Sequence, residues 1–472
     1  MRTSQSVSME WPDTVAATPQ LATLQPAPAL LERPELRWAF VFIWLFTFMI
    51  YARPEDMFPA IAPLHLTLVF GTCASLMSAG AIVFRGVRVP WTSETKLIAL
   101  LTFWFACGVP FAFWRSGSLH VLMTVWFKTV LAFTVLTLTL LTLERIRLLL
   151  WAIILSELLA TSFSILQPSK ALWVGERIYG ANTGFLGWNF LGIAAAMSIP
   201  YIAAMFVGRR SLLATCLLVT TSASMLWMLV LTASRGGFLN VIFSTILTFW
   251  FVLRGSSRGR LAGMGIGLVL LAATMLAPSV FWDRLGTVWS DSGTSSYVNQ
   301  FQSGLEQLAA QESTEGRREL LRRSIQFTLE HPLFGLGLGN FNLASGAQHG
   351  AEANAWMGTH NTFTQISSEA GLPALLLYLA LVAGAIRKMY TIRCTALQNE
   401  GSQELTLMAG ATLVSLLSFA FGACVAHLAY DYYFFYIVTI ACSLGSVARE
   451  SGLAIHDRTT EAGDLRISPV LV

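Results

Sequence analysis

The sequence predicts an all-α polytopic membrane protein of about twelve transmembrane helices, with one large extracytoplasmic loop containing short amphipathic helices. Three observations lead there. Hydrophobic residues make up 55% of the chain and charged residues 12%, against about a quarter charged in soluble domains, and mean hydropathy is +0.61. Apolar runs long enough to cross a bilayer recur from residue 37 to residue 448. One polar segment, 282–360, interrupts them and concentrates Arg, His, Gly and Asn beside the membrane.

Residues 1–36 are rich in Ala, Pro and Thr, with Pro12, Pro19, Pro26, Pro28 and Pro34. They bury too little apolar surface to fold alone and lack the layout of a cleaved signal, so they read as a disordered cytoplasmic tail. The first nine spans fall within 37–281, near 37–51, 61–84, 96–114, 119–141, 145–166, 185–207, 211–232, 236–253 and 261–281. Spans ten to twelve fall within 361–448, near 361–386, 404–426 and 431–448, and 449–472 form a second cytoplasmic tail. Basic residues in short loops set the orientation. Arg85 and Arg88, Arg145 and Arg147, Arg209 and Arg210, Arg254, Arg258 and Arg260, and Arg387, Lys388 and Arg393 alternate onto one side, which is then the inner one. Arg53, Arg115, Lys170, Arg177 and the arginines of the large loop lie against that trend, as does Arg235 in a tight outer turn. None of the six cysteines falls in a CxxC or His/Cys ligand spacing, so neither a disulfide framework nor zinc is expected. Neither composition nor the net charge of +4 suggests a nucleic-acid partner.

Within the large loop, 290–303 reads as flexible. The stretch 315–329 reads as an amphipathic helix, with apolar residues at 321, 325 and 329 and arginines around them. The run Gly335-x-Gly337-x-Gly339 follows a helix rather than a strand and faces outward, so it reads as a turn back to the membrane and not as a nucleotide loop.

Several residues admit both a structural and a chemical role. Arg235 is either a snorkelling arginine or a phosphate clamp, with Gly236 and Gly237 allowing close approach at a helix N-terminus. Arg317, Arg318, Arg322 and Arg323 are either a solvated, lipid-contacting face or a source of one bidentate phosphate contact. His360, between Thr359 and Asn361, is either structural or a proton acceptor near neutral pH. His331 suits a turn as well as catalysis. Lys128 and Glu157 lie at similar depth in the fourth and fifth spans, as a structural ion pair or as substrate groups. His427 and Asp431 sit at the outer hairpin of the last two spans, as interfacial residues or as lining of the same outer cavity.

The order of motifs adds a resemblance. Thr232-Ala233-Ser234-Arg235-Gly236-Gly237 closes a span and Gly316-Arg317 opens a loop helix. His331-Pro332-Leu333-Phe334-Gly335-Leu336-Gly337 and His360-Asn361-Thr362 follow, then Glu369-Ala370-Gly371-Leu372-Pro373. In this order and spacing they resemble the bacterial O-antigen ligase/polymerase family, mainly over 185–390. Tyr51-Ala52-Arg53-Pro54-Glu55-Asp56 looks like relatives from exopolysaccharide loci. The resemblance implies an inner-membrane transferase with cytoplasmic termini and a periplasmic site. It would take a glycan from undecaprenyl diphosphate and pass it to lipid A-core, another glycan or a protein, among membrane lipids and without metal, cofactor or nucleotide sugar. Carried over by motif, Arg235 and Arg317 would hold the diphosphate and His360 would help activate the acceptor hydroxyl. Arg318, Asn361 and Lys128 stand beside them as substrate-binding candidates, and Glu369 reads as structural support. No nucleophilic carboxylate is evident, so a single displacement with inversion is expected. The competing class is a transporter or lipid flippase, whose site would lie at the bilayer midplane between repeats.

Overall fold

The computed structural model describes residues 33–170, 172–174, 177–180, 188–208, 211–286, 315–350, 355–399 and 402–453. The expected flexible stretch 290–303, most of the N-terminal tail, the C-terminal tail beyond 453 and the pair Arg209–Arg210 lie outside these residues. Twelve helices are long and apolar enough to span a membrane: α1 Pro34–Ala52, α2 Pro59–Arg85, α3 Ser93–Phe111, α4 Arg115–Thr139, α5 Leu143–Leu166, α6 Asn189–Val207, α7 Leu212–Thr232, α8 Arg235–Leu253, α9 Ser257–Met275, α13 Thr362–Leu397, α14 Gln403–Ala423 and α15 Tyr432–Glu450. Among the described residues between α9 and α13 lie the shorter helices α10 Ser279–Gly286, α11 Glu315–Glu330 and α12 Phe341–His349. The all-α, multi-span class stands. One antiparallel hairpin, β1 Leu172–Val174 with β2 Arg177–Gly180, is an addition to it in the loop after α5.

Burial separates core helices from lipid-facing ones. The apolar windows of α6 and α15 are 89% and 83% buried, whereas those of α2 and α9 are 17% and 22% buried. Lipid is as apolar as leucine, so helix contacts in a membrane rest on close packing of small residues and on interhelical hydrogen bonds. Both occur around α6. Its Gly192 lies so near Gly237 of α8 that a Cβ there would sit 2.3 Å from the Gly237 Cα. Tyr201 donates to Thr412 Oγ1 of α14 at 3.1 Å, and Ser415 of α14 returns a bond to Met197 O at 2.6 Å.

Two expectations are corrected here. Lys128 and Glu157 do not pair. Lys128 is exposed on α4, whereas Glu157 is buried in α5 and accepts from Ser198 Oγ at 2.6 Å. Equal depth is necessary for pairing, but the two side chains leave their helices in different directions. The tenth span also runs about three turns past its predicted end near 386, reaching Leu397. Its basic residues are held on the helix instead of lying in a loop: Lys388 Nζ meets the buried carboxylate of Glu94 at 2.6 Å, and Arg393 Nε donates to Phe251 O at 3.0 Å.

α13 is kinked at Gly371, whose φ of 82° and ψ of 174° are non-helical. The cause is local. Pro373 has no N–H to return to Glu369 O, and the Leu372 N–H goes to Pro332 O at 2.8 Å, leaving Ser368 O without its helical donor. Buried carbonyls need donors, and the glycine run supplies them: Leu336 N–H donates to Ser368 O and Gly337 N–H to Glu369 O, each at 2.8 Å. The Glu369 carboxylate then accepts from Gly339 N–H (2.9 Å), Phe341 N–H (3.3 Å) and the Tyr430 hydroxyl (2.8 Å). Phe334 stacks on Phe111 with ring centroids 4.6 Å apart. The glycine run is therefore more than a turn. It is the seam that fixes the loop to the bundle.

Candidate active site

The seam places α11 over α13. Leu320 and Phe327 of α11 pack on Leu336, Phe341 and Ala344. Between them lies Arg323, only 1% exposed, donating to Glu319 Oε1 at 3.0 Å and to Ser345 Oγ of α12 at 3.2 Å. Leu321, Ile325 and Leu329 are exposed, forming the apolar stripe an interfacial helix needs. The arginines, however, do not share one face. Arg322 is exposed and bonds Glu319, Arg323 is interior, and Arg317 and Arg318 diverge by about 100° around the helix. Arg317 is half-buried and Arg318 is exposed. Arg323→Ala should free α12 from α11 at roughly 1–3 kcal/mol, since Glu319 keeps Arg322 and partial access to water. Limited proteolysis of the loop would show this as faster cleavage near α12.

The second part of the site is the turn between α7 and α8. Ala233 takes a left-handed conformation (φ 46°), and Ser234 caps α8 by accepting from Gly237 N–H at 3.1 Å. The Ser234 hydroxyl donates to Asn189 Oδ1 at 2.7 Å, and Asn189 Nδ2 donates onward to Val425 O at 3.2 Å. Arg235 thus leaves a turn anchored to the start of α6 and to the α14–α15 hairpin. Gly237 serves the contact with Gly192. Gly236 remains half-exposed beside Val425.

The third part is the start of α13. His360 has φ 51°, a left-handed conformation rare for a side chain of its size and worth about 1–3 kcal/mol of strain. The residues after it hold it there. Asn361 Oδ1 caps the helix by accepting from Phe363 N–H (2.9 Å) and Thr364 N–H (3.1 Å), and its Nδ2 donates to Cys424 O at 3.3 Å. The Asn361 side chain is thereby engaged in structure, whatever it also does for a substrate.

Arg235, Arg317 and His360 come together. Burial and then the positive charge of Arg235 hold the Arg317 guanidinium below its ordinary value. Burial, then His427 and Arg317, hold the His360 imidazole down at about 4. His427 is likewise lowered by the protein around it, although its ring reaches solvent. The structure does not bring Lys128 or Arg318 into this group. Among the described residues, no three His, Cys, Asp or Glu side chains are placed to hold a metal ion.

A pH expectation follows. The unfolded histidine titrates near 6.5 and the folded one near 4. Between these values the unfolded chain holds the extra proton, so the stability attached to His360 is full above about 6.5 and lost as pH falls towards 4. In the empty site His360 is a neutral base well below pH 6.5, so the acidic limb of kcat/KM should lie below 6.5. An anion bound against Arg317 would offset its charge, and the limb of kcat would then lie higher than that of kcat/KM. Rate profiles from pH 4 to 8 check both; coincident limbs at 6.5 would contradict the assignment.

The model of the O-antigen ligase family matches residues 220–379. That stretch belongs to the O-antigen ligase family. It begins within α7, ends within α13 and contains Arg235, Arg317 and His360. The chain thus joins a set of candidate membrane spans to one stretch of the O-antigen ligase family. No curated protein matches it. Sequence reasoning passed over Asn189, Gln365 and Val425, which tie the α7–α8 turn and the start of α13 to the α14–α15 hairpin. Asn189 alone offered a signal, as a polar residue at the outer end of an otherwise apolar span.

Proposed function

We propose that the chain moves a glycan from undecaprenyl diphosphate to an acceptor hydroxyl on the outer face of the inner membrane, in surface polysaccharide biosynthesis. The convergence of Arg235, Arg317 and His360 from three separate elements carries this reading. As the sugar leaves, negative charge grows on the bridging oxygen of the diphosphate. Two half-buried guanidiniums there stabilise that charge where water screens it poorly. His360, uncharged at neutral pH, takes the proton from the incoming hydroxyl, and direct displacement inverts the anomeric carbon. The acceptor is lipid A-core in a ligase.

The outward orientation is supported by charge. α8 starts at Arg235 and ends at Leu253 beside Arg254 and Arg258, roughly 28 Å apart along the helix axis. Short basic loops favour the cytoplasm, so both termini are inner and the site is outer. A polymerase of the same family is the second reading, favoured by the exopolysaccharide-like motif at Tyr51–Asp56. Analysis of glycan chains in a deletion strain decides between them. Undecorated acceptor with intact lipid-linked polymer indicates a lost ligase, whereas single repeat units on the acceptor indicate a lost polymerase. Lipid-linked intermediate trapped on the inner face would overturn both in favour of transport.

A further inference from the structure

The hairpin joining α14 to α15 is bonded to the start of α13 from several sides. Thr362 Oγ1 donates to Ala426 O at 2.7 Å and accepts from Leu428 N–H at 3.0 Å. Gln365 Oε1 accepts from Ala429 N–H at 3.1 Å, and Asn361 Nδ2 reaches Cys424 O. These bonds flank His427. Its ring lies beside that of His360 with centroids 5.3 Å apart and planes at 79°. A Cβ on Gly358 would meet the His427 ring at 3.3 Å, so this glycine leaves the ring its place. His360 is half-buried, and His427 is exposed.

We infer that His427 is the proton outlet of the site, taking from His360 the proton removed from the acceptor hydroxyl and releasing it to water. The inference rests on the glycan-transfer reading. In the step, the acceptor oxygen forms a bond to the anomeric carbon while the bond from that carbon to the diphosphate oxygen breaks, its electron pair leaving with the diphosphate. The O–H proton passes to one nitrogen of His360. The other nitrogen then gives up its proton, through a bridging water at this ring separation, to His427 and on to solvent. Both imidazoles end neutral.

The surroundings make such an outlet useful. An imidazolium at His360 feels the charge of Arg317 of α11, which in turn feels that of Arg235 of α8. Of the other titratable groups packed near, Cys424 lies on the hairpin. The Glu369 carboxylate is taken by Gly339, Phe341 and Tyr430, and that of Asp431 caps α15 through Tyr433 N–H at 3.1 Å. Moving the positive charge to His427 puts it on an exposed side chain, where water can solvate it.

The test uses the full chain in nanodiscs, with lipid-linked glycan and acceptor extracted from the host. His427→Phe keeps an aromatic ring against His360 and Gly358 but carries no proton; His427→Ala leaves a gap for added imidazole. Both should lower kcat about 10–100-fold with melting temperature preserved in the Phe variant, and imidazole should restore part of the rate to the Ala variant. A wild-type rate in His427→Phe would reduce His427 to a packing residue and overturn the inference. Loss without imidazole rescue, accompanied by a lowered melting temperature in both variants, would overturn it as well. If Arg235→Ala and Arg317→Ala also transfer at wild-type rates, the transfer reading itself has failed, which is a separable result.

Discussion

Arg317→Ala and Arg235→Ala should each lower glycan transfer about 10²–10³-fold, equivalent to roughly 3–4 kcal/mol of barrier, with protein abundance unchanged. Arg317 lies close enough to Arg235 for that positive charge, after burial, to push its value down. In the empty protein they therefore repel. Removing Arg317 relieves that repulsion, so in that variant melting temperature should hold or rise slightly while transfer collapses. A purely structural arginine would give the opposite pattern, as Arg323 does with its bonds to Glu319 and Ser345. Arg317→Lys keeps the charge but loses the planar fork, and should recover only part of the rate. If both act on one diphosphate, as proposed, the double variant should cost less than the product of the singles. Transfer assays paired with thermal unfolding read both quantities, and wild-type rates in both single variants would remove these arginines from the site.

Gly371→Ala should be among the most damaging single-methyl changes in the chain, at roughly 3 kcal/mol or more. Its φ of 82° with ψ of 174° belongs to a region essentially reserved for glycine, and an added Cβ would stand 2.0 Å from Leu333 O. Gly335→Ala meets the same seam from the other side, with φ of 67° and a Cβ 2.4 Å from the backbone of Glu369. Neither contact is with the end of a flexible side chain, so the seam itself must open. Gly384→Ala, on the same helix with nothing within 4 Å of the added atom, is the control and should change little. Thermal unfolding in detergent would show the contrast. Because the seam carries α11, the two damaging variants should also lose transfer although neither residue is in the Arg–His group.

Periodicity and apolar run length made the twelve spans legible, because in hydrocarbon each helix must satisfy its own backbone and is recognisable without its neighbours. The loop helix at 315–330 was legible for the same reason, and the arginine and histidine motifs stood out because charge is costly beside lipid. What the sequence left open was direction. Leu321, Ile325 and Leu329 mark an apolar stripe, yet they do not show that Arg323 is sealed inside while Arg317, six residues earlier, turns to the site. Depth matched Lys128 with Glu157, but the azimuth of each side chain separates them.

By itself, then, the sequence determined the membrane class, the spans, the polar segment between the ninth and tenth of them and the residue types able to meet a phosphate and a hydroxyl. Only the tertiary structure decided which of the arginines share a site, that the α13 kink and the glycine run complete each other's hydrogen bonds, and that His427 stands beside His360. The physical reason is range. Span formation depends on local hydrogen bonds and transfer to lipid, which neighbouring residues settle among themselves. The site depends on bonds such as Asn189 to Val425 and Thr362 to Ala426, whose partners lie far apart along the chain and meet only when the bundle has packed.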